Sequence, residues 1–166
     1  MESPQTTEID PALVSAAAAL RELILASENY RQVVATKLAL TVSETQAVSY
    51  LYARGRMGQG DLGAAMGFNT SSTTALVDRL ERNSLAERVA DPSDRRRSII
   101  QLTAGGQQVV NASREWFIHA FDEIPAGELG DVAEVLLVLA EGLRARTSTI
   151  PAEPEMVERT APRRRR

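Results

Sequence analysis

The chain has 166 residues, 43% of them hydrophobic and 25% charged, with a net formal charge of −3. That is enough to bury one domain's core, and no apolar run approaches the roughly 18–20 residues needed to span a bilayer, so no membrane partner is expected. Cysteine is absent, which removes disulfides, Cys-ligated zinc, thiol nucleophiles and thiol-based redox sensing together.

The first ten residues lack the basic and apolar regions of an export signal, so a cytoplasmic location is expected. Charge is unevenly distributed: residues 54–98 carry +2, against −3 for 1–53 and −4 for 99–150. Asp10 before Pro11 predicts a helix start, because Asp caps well and Pro tolerates the first helical position. A row of Leu13, Ala17, Leu20 and Ile24 continues through Ser27 and Arg31 to Val34 and Leu38. It reads as the core-facing stripe of one long helix over 10–38, with packing of part of it on a second chain as the alternative.

Ser43 and Gln46 have capping-box spacing and predict a helix from 44 to about 54, ended by Gly55. A short helix over 59–66 carries Leu62, Ala65 and Met66, although Gly60 and Gly63 each weaken it by about 1 kcal/mol relative to Ala. Gly67-Phe68-Asn69 is a turn, and "TSSTTALVDRLERNS" then places Leu76, Val77 and Leu80 on one helical face. Two short helices joined by a three-residue turn containing Gly are the sequence form of a helix-turn-helix.

Leu85–Ala90 and Ser98–Leu102 read as an antiparallel hairpin, with Ile100 and Leu102 on one face and Ser98 and Gln101 roughly on the other. Thr103 can cap a helix running through Val109, Val110, Trp116, Phe117 and Phe121, which Pro125-Ala126-Gly127 breaks. A last helix, about 128–145, is apolar on one broad face with Val132, Val135, Leu136, Leu139 and Leu143. Residues 1–9 are expected to be a flexible N-terminus, and 147–166, rich in proline and ending in Arg163–Arg166, a disordered tail. That terminal run either adds salt-dependent attraction to phosphate or is inert.

The expected fold is mainly α with a small antiparallel hairpin: a winged helix-turn-helix flanked by long N- and C-terminal helices. In this plan the second helix of the motif enters the major groove N-terminal end foremost. Here that end reads Thr70, Ser71, Ser72, Thr73, Thr74 after Asn69. Short hydroxyl side chains allow close approach and can bond phosphates or base edges; simple capping accounts for one or two of them, not five. The hairpin tip "DPSDRRR" puts Arg95, Arg96 and Arg97 beside this helix, suited to the narrow minor groove. Arg95 and Arg96 are the leading candidates, with Asp94 able to orient one guanidinium and Pro92 stiffening the loop. Arg79 and Arg82 either contact phosphate or pair with Asp78 and Glu81.

The stretch "STTALVDRLERNSLAERVADPSDRRRSIIQLTAGG" resembles the MarR (multiple antibiotic resistance regulator) family of bacterial transcription factors. "LVDRLE", "DPSDRRR" and "LT" followed by Gly106 look like its recognition helix, wing and next-helix start. The resemblance extends over 10–146. It implies a DNA-binding lobe at 40–102, dimerisation helices at 10–38 and 103–146, and a homodimer that binds a pseudo-palindromic double-stranded operator and usually represses. It also implies a small aromatic or phenolic effector. Tyr30, Tyr50, Tyr52, Trp116 and Phe117 are candidates to line its pocket, and fit a core equally well. Ala75 stands where many members have Arg, and Ser84 where a helix-ending Gly is usual, so Ser84 must turn left-handed or the helix must end differently. Gly58, Gly60 and Gly63 leave the supporting helix weak.

His119, the single histidine, reads as a satisfied structural residue, and one His makes no metal site. With no phosphate-binding glycine loop and no catalytic constellation, neither enzymatic activity nor a cofactor is expected. The rival reading is a winged-helix protein adaptor whose basic turn meets an acidic partner.

Overall fold

The first helix starts as its sequence requires: the Asp10 carboxylate accepts the Ala12 N–H at 2.8 Å, and Pro11 occupies the first helical position. The computed structural model describes residues 9–92, 98–147 and 149–150. The chain divides into two compact units, Met1–Ile118 and His119–Arg166. In the first, α1 (Pro11–Lys37), α2 (Val42–Arg54), β1 (Met57–Gly58), α3 (Gln59–Met66) and α4 (Thr70–Arg82) precede β2 (Ala86–Ala90), β3 (Ser98–Leu102) and α5 (Ala104–Ile118). In the second, 3-10 turns at His119–Phe121 and Ala126–Glu128 lead into α6 (Leu129–Thr147). The protein is a winged helix-turn-helix, mainly α with a small antiparallel sheet.

The long row on α1 is not core-facing over most of its length. The helix packs on α2, and only Val34 and the adjacent Ala35 are buried, while Leu13 and Ile24 are 61% and 41% exposed. Helical spacing identifies an apolar stripe without saying what covers it.

The start of α2 also departs from expectation. Thr41, not Ser43, is the N-cap: the Glu44 N–H donates to Thr41 Oγ1 at 3.2 Å, and the Thr41 N–H donates to Glu44 Oε2 at 2.8 Å. This reciprocal box has a carboxylate where the Ser43–Gln46 alternative has an amide, and a carboxylate is the better acceptor at a helix N-terminus.

α3 spans 59–66 as predicted, and Gly67 ends it in the left-handed conformation (φ 68°). Leu62 is fully buried, and Gly63 lies so close to α4 that a Cβ there would sit 2.4 Å from Thr73 Oγ1. The glycine that weakens the helix is what lets the two helices meet. The core joins Val48 and Leu51 of α2, Leu62 of α3, Leu76 and Leu80 of α4, and Ile100 of β3. Each fully buried leucine contributes about 1.5–3 kcal/mol. Ser84 takes the left-handed conformation (φ 53°), so α4 stops as a glycine-ended helix would, at a cost of about 1–2 kcal/mol.

The hairpin belongs to a three-stranded sheet of order β1-β3-β2. β2 pairs with β3 from Ala86↔Leu102 to Ala90↔Ser98, and the short β1, unexpected from sequence, pairs Met57 with Ile100. Strand alternation puts Ser98 on the face of Ile100 and Leu102, correcting its grouping with Gln101. Gln101 points the other way and donates to Glu87 at 2.8 Å. Leu85 falls just outside the strand, and its carbonyl accepts the Thr103 N–H at 3.1 Å. Thr103 Oγ1 accepts the Gly106 N–H at 3.2 Å and so starts α5. Gly106 is required here, because a Cβ would lie 2.0 Å from the Leu85 carbonyl oxygen.

α5 ends at Ile118 rather than continuing to Phe121, where the chain tightens into a 3-10 turn. α6 begins at Leu129, after a second such turn, and ends at Thr147. Its apolar residues are not confined to one broad face: Leu137 and Val138 are 67% and 64% exposed, and no residue of α6 is buried. Among the described residues, no helix is long and apolar enough to cross a membrane.

Candidate nucleic-acid interface

α4 is anchored from within and open at its start. Leu76, Val77 and Leu80 are fully buried, while Thr70, Ser71 and Ser72 are exposed. Asn69 caps the helix, its Oδ1 accepting the Ser72 N–H at 2.9 Å and the Ser71 hydroxyl at 2.8 Å. The five hydroxyl residues therefore separate into different roles. Thr73 is turned inward against Gly63 and donates to the Asn69 carbonyl at 2.8 Å. Thr74 is half-buried, donating to the Thr70 carbonyl and accepting from Gln59 Nε2, both at 2.9 Å. The outward row is Thr70, Ser71 and Ser72, at the helix end where free N–H groups and the dipole favour an anion.

Of the two alternatives for Arg79 and Arg82, pairing with Asp78 and Glu81 does not occur. Both carboxylates are held instead by Arg88 of β2. Arg82 is exposed, its Nε donating to the Asp78 carbonyl at 3.3 Å. Arg79 is half-buried, and its Nε is buried without a hydrogen-bond partner among the described residues.

Near Arg79 lies Glu44, a carboxylate only 3% exposed. Burial raises its pKa, but hydrogen bonds from the Thr41 hydroxyl, the Thr41 N–H and Asn83, together with the Arg79 charge, outweigh that and hold it below the ordinary value. Asn83 Nδ2 donates to Glu44 Oε1 at 2.8 Å, tying the end of α4 to the start of α2. Sequence reasoning passed over Glu44, Asn83 and Arg88. The Thr41-to-Glu44 spacing was the available signal for the first; nothing local marks the other two, whose partners are distant in the chain.

Asp94, Arg95, Arg96 and Arg97 lie outside the described residues, as does the Arg163–Arg166 run. The strands on either side are defined as far as the Ala90–Ser98 pair.

The five aromatic candidates do not form one cavity. Tyr30 and Phe117 meet, with ring centroids 5.9 Å apart and planes at 58°, and the Tyr30 hydroxyl donates to the Ser113 carbonyl at 3.0 Å. Burial raises the Tyr30 pKa. Tyr50 packs on the core beneath the Arg54 guanidinium, 4.9 Å from its ring centre. Tyr52 and Trp116 are exposed. A small open cleft of about 130 Å³ between α3 and α4, lined by Gln59, Gly60, Gly63, Phe68, Thr70 and Thr73, includes none of the five. His119 is exposed and pairs with Asp122 at 2.9 Å. No group of His, Cys, Asp and Glu suited to a metal occurs among the described residues.

The MarR family model matches residues 40–98, the span from before α2 to the start of β3. YsmB of Bacillus subtilis, described as an uncharacterized HTH-type transcriptional regulator, is 32% identical over 110 residues, covering 64% of this chain and 75% of its own length. Two mutants of Staphylococcus aureus MepR share the fold at 22% identity. One, from a multidrug-resistant clinical isolate, has a TM-score of 0.66 over 77% of this chain and 96% of that one. The other, bound to an oligodeoxyribonucleotide, has a TM-score of 0.54 over 77% and 97%. Helix-turn-helix, wing and relatives agree, and this chain belongs to the MarR family of winged-helix transcriptional regulators.

Proposed function

We propose that the protein is a cytoplasmic, homodimeric repressor that binds a pseudo-palindromic double-stranded operator sequence-specifically and releases it when a small aromatic or phenolic effector binds. Residues 40–102 form the DNA-binding lobe, and 10–38 with 103–146 the dimerisation helices. The observation that carries this reading is the split in α4: its apolar face is sealed into the core while Thr70, Ser71 and Ser72 stand exposed at its N-terminal end. A helix held so can enter a major groove end-on. Arg95, Arg96 and Arg97, with Asp94 orienting one guanidinium, are assigned to the adjacent minor groove, and Arg79 and Arg82 to phosphate contacts. The DNA-bound MepR mutant of the same fold supports this use of the lobe.

Dimerisation is supported by the exposed apolar residues of α1 and, separately, of α6, which two protomers can cover mutually. The Tyr30–Phe117 pair supports an aromatic effector, offering aromatic ring surface where α1 meets α5. A ligand there can act only by preferring one spacing of the two recognition helices over another.

The test is binding to genomic duplex fragments across a salt series. A steep linear fall of log K with log salt and a two-fold-related footprint are expected. Replacing Arg95 and Arg96 together by Ala should weaken binding more than tenfold, about 1.4 kcal/mol, with the dimer intact. Unchanged affinity would remove the arginine tip from the interface, and a salt-independent, footprint-free protein would be an adaptor instead.

A further inference from the structure

Arg88, in the middle of β2, is engaged on every side within the chain. Its Nη2 pairs with Asp78 Oδ1 at 2.7 Å, and its Nη1 with Glu81 Oε2. Its Nε reaches Gln59 Oε1 at 3.4 Å, and its main-chain N–H donates to Glu81 Oε1 at 3.0 Å. Gln59, the first residue of α3, turns its amide nitrogen to Thr74 Oγ1 on α4 at 2.9 Å. Thr74, Asp78 and Glu81 follow one another by four and three residues, so they make a single stripe along α4. One guanidinium thus joins the recognition helix, the helix that supports it and the strand leading to the wing tip.

Chemistry favours Arg over Lys at this position. A planar fork of five donors can serve two carboxylates and an amide oxygen at once, whereas an ammonium is a point charge without that geometry. The strap also falls where the wing needs it. A short hairpin is marginal by itself, and here Ile100 supplies an apolar anchor on β3 while β2 is held to α4 by Arg88. With a side chain 26% exposed, Arg88 retains part of its charge interaction despite screening.

We propose that Arg88 is a positioning residue: it fixes β2 against the recognition helix, and so sets operator affinity without itself touching DNA. This rests on the DNA-binding reading above.

The decisive variant is Arg88→Lys, which keeps the charge and removes the fork, studied in the full-length protein. Hydrogen exchange in the absence of DNA tests the strap alone: the amides of 86–90 and 98–102 should exchange at least tenfold faster. Operator binding should weaken about tenfold with the slope of log K against log salt unchanged, since no phosphate contact is lost. In that background the Arg95/Arg96 double alanine change should cost less than threefold, against more than tenfold in the native protein; a merely stabilising residue would leave the two effects additive. Glu81→Gln, which weakens the acceptor of both the Arg88 N–H and its guanidinium, should shift all three readings in the same direction and serves if the lysine variant does not fold. Native exchange, native affinity or additive effects would overturn the proposal, and so would a salt slope reduced by about one in Arg88→Gln, which would make Arg88 a phosphate contact. A wild-type protein that binds no duplex would fail the functional reading, while the exchange measurement would still report on the strap.

Discussion

In the winged-helix lobe, leucines at helical spacing are sealed: Leu51, Leu62, Leu76 and Leu80 are no more than 3% exposed. In α6, the same residue at similar spacing stands open, with Leu136, Leu137, Leu139 and Leu143 between 36% and 67% exposed. Spacing alone does not account for the difference, since Leu136, Leu139 and Leu143 recur at helical intervals just as Leu76 and Leu80 do. The difference lies in what each finds to pack on. The lobe draws α2, α3 and α4 around Ile100 and closes on itself, whereas α6 has apolar surface that its own unit leaves uncovered. The first region encloses its apolar residues by folding; the second leaves them exposed.

This contrast can be broken by mutation. Leu80→Ala should cost about 2–5 kcal/mol of unfolding stability in denaturant titration, because a fully enclosed side chain leaves a cavity. Gly106→Ala should cost about 1–3 kcal/mol, since its methyl group would overlap the Leu85 carbonyl. A variant as stable as the native protein would show that α5 can stand away from the hairpin. Glu44→Gln should cost about 1 kcal/mol at neutral pH. Because the folded protein holds the Glu44 pKa low, its stabilisation is complete above the unfolded value, about pH 4.3, and is lost as the pH falls through the folded one. Acid titration of stability should therefore be shallower in the glutamine variant. Smallest of all, Leu137→Ala should leave unfolding of the lobe within about 0.5 kcal/mol of native while raising the dimer dissociation constant in sedimentation. If it destabilised the lobe as Leu80→Ala does, α6 would belong to the same cooperative core.

What could be read from sequence follows the range of the forces involved. Asp10-Pro11, the Gly67–Asn69 turn, the limits of α3 and the pairing of the hairpin strands are local signals, and each stands where the residues placed it. The choice of Thr41 over Ser43 as cap was ambiguous because both fit the box, and Glu44 is further held by Asn83, 39 positions away. β1 is too short to show alternation, and exists because Ile99 and Ile100 offer it an edge. In the candidate site, the exposed threonine and serine turn was legible from its position, but Thr73 looked like its neighbours until Gly63 proved to make room for it. The partners of Arg88 were hidden for the same reason: acids seven and ten residues earlier are brought to it only when the strand folds back along the helix.

The meeting of Gly106 with the Leu85 carbonyl has a mechanical consequence. At most places where a helix meets a strand, side chains lie between the two backbones and can change rotamer to take up a small tilt. Here main chain bears on main chain, and the Thr103 N–H fastens the same carbonyl. Such an elbow has no padding, so a tilt of α5 against β2 cannot be taken up by side-chain rotamers and must strain the main chain at Leu85.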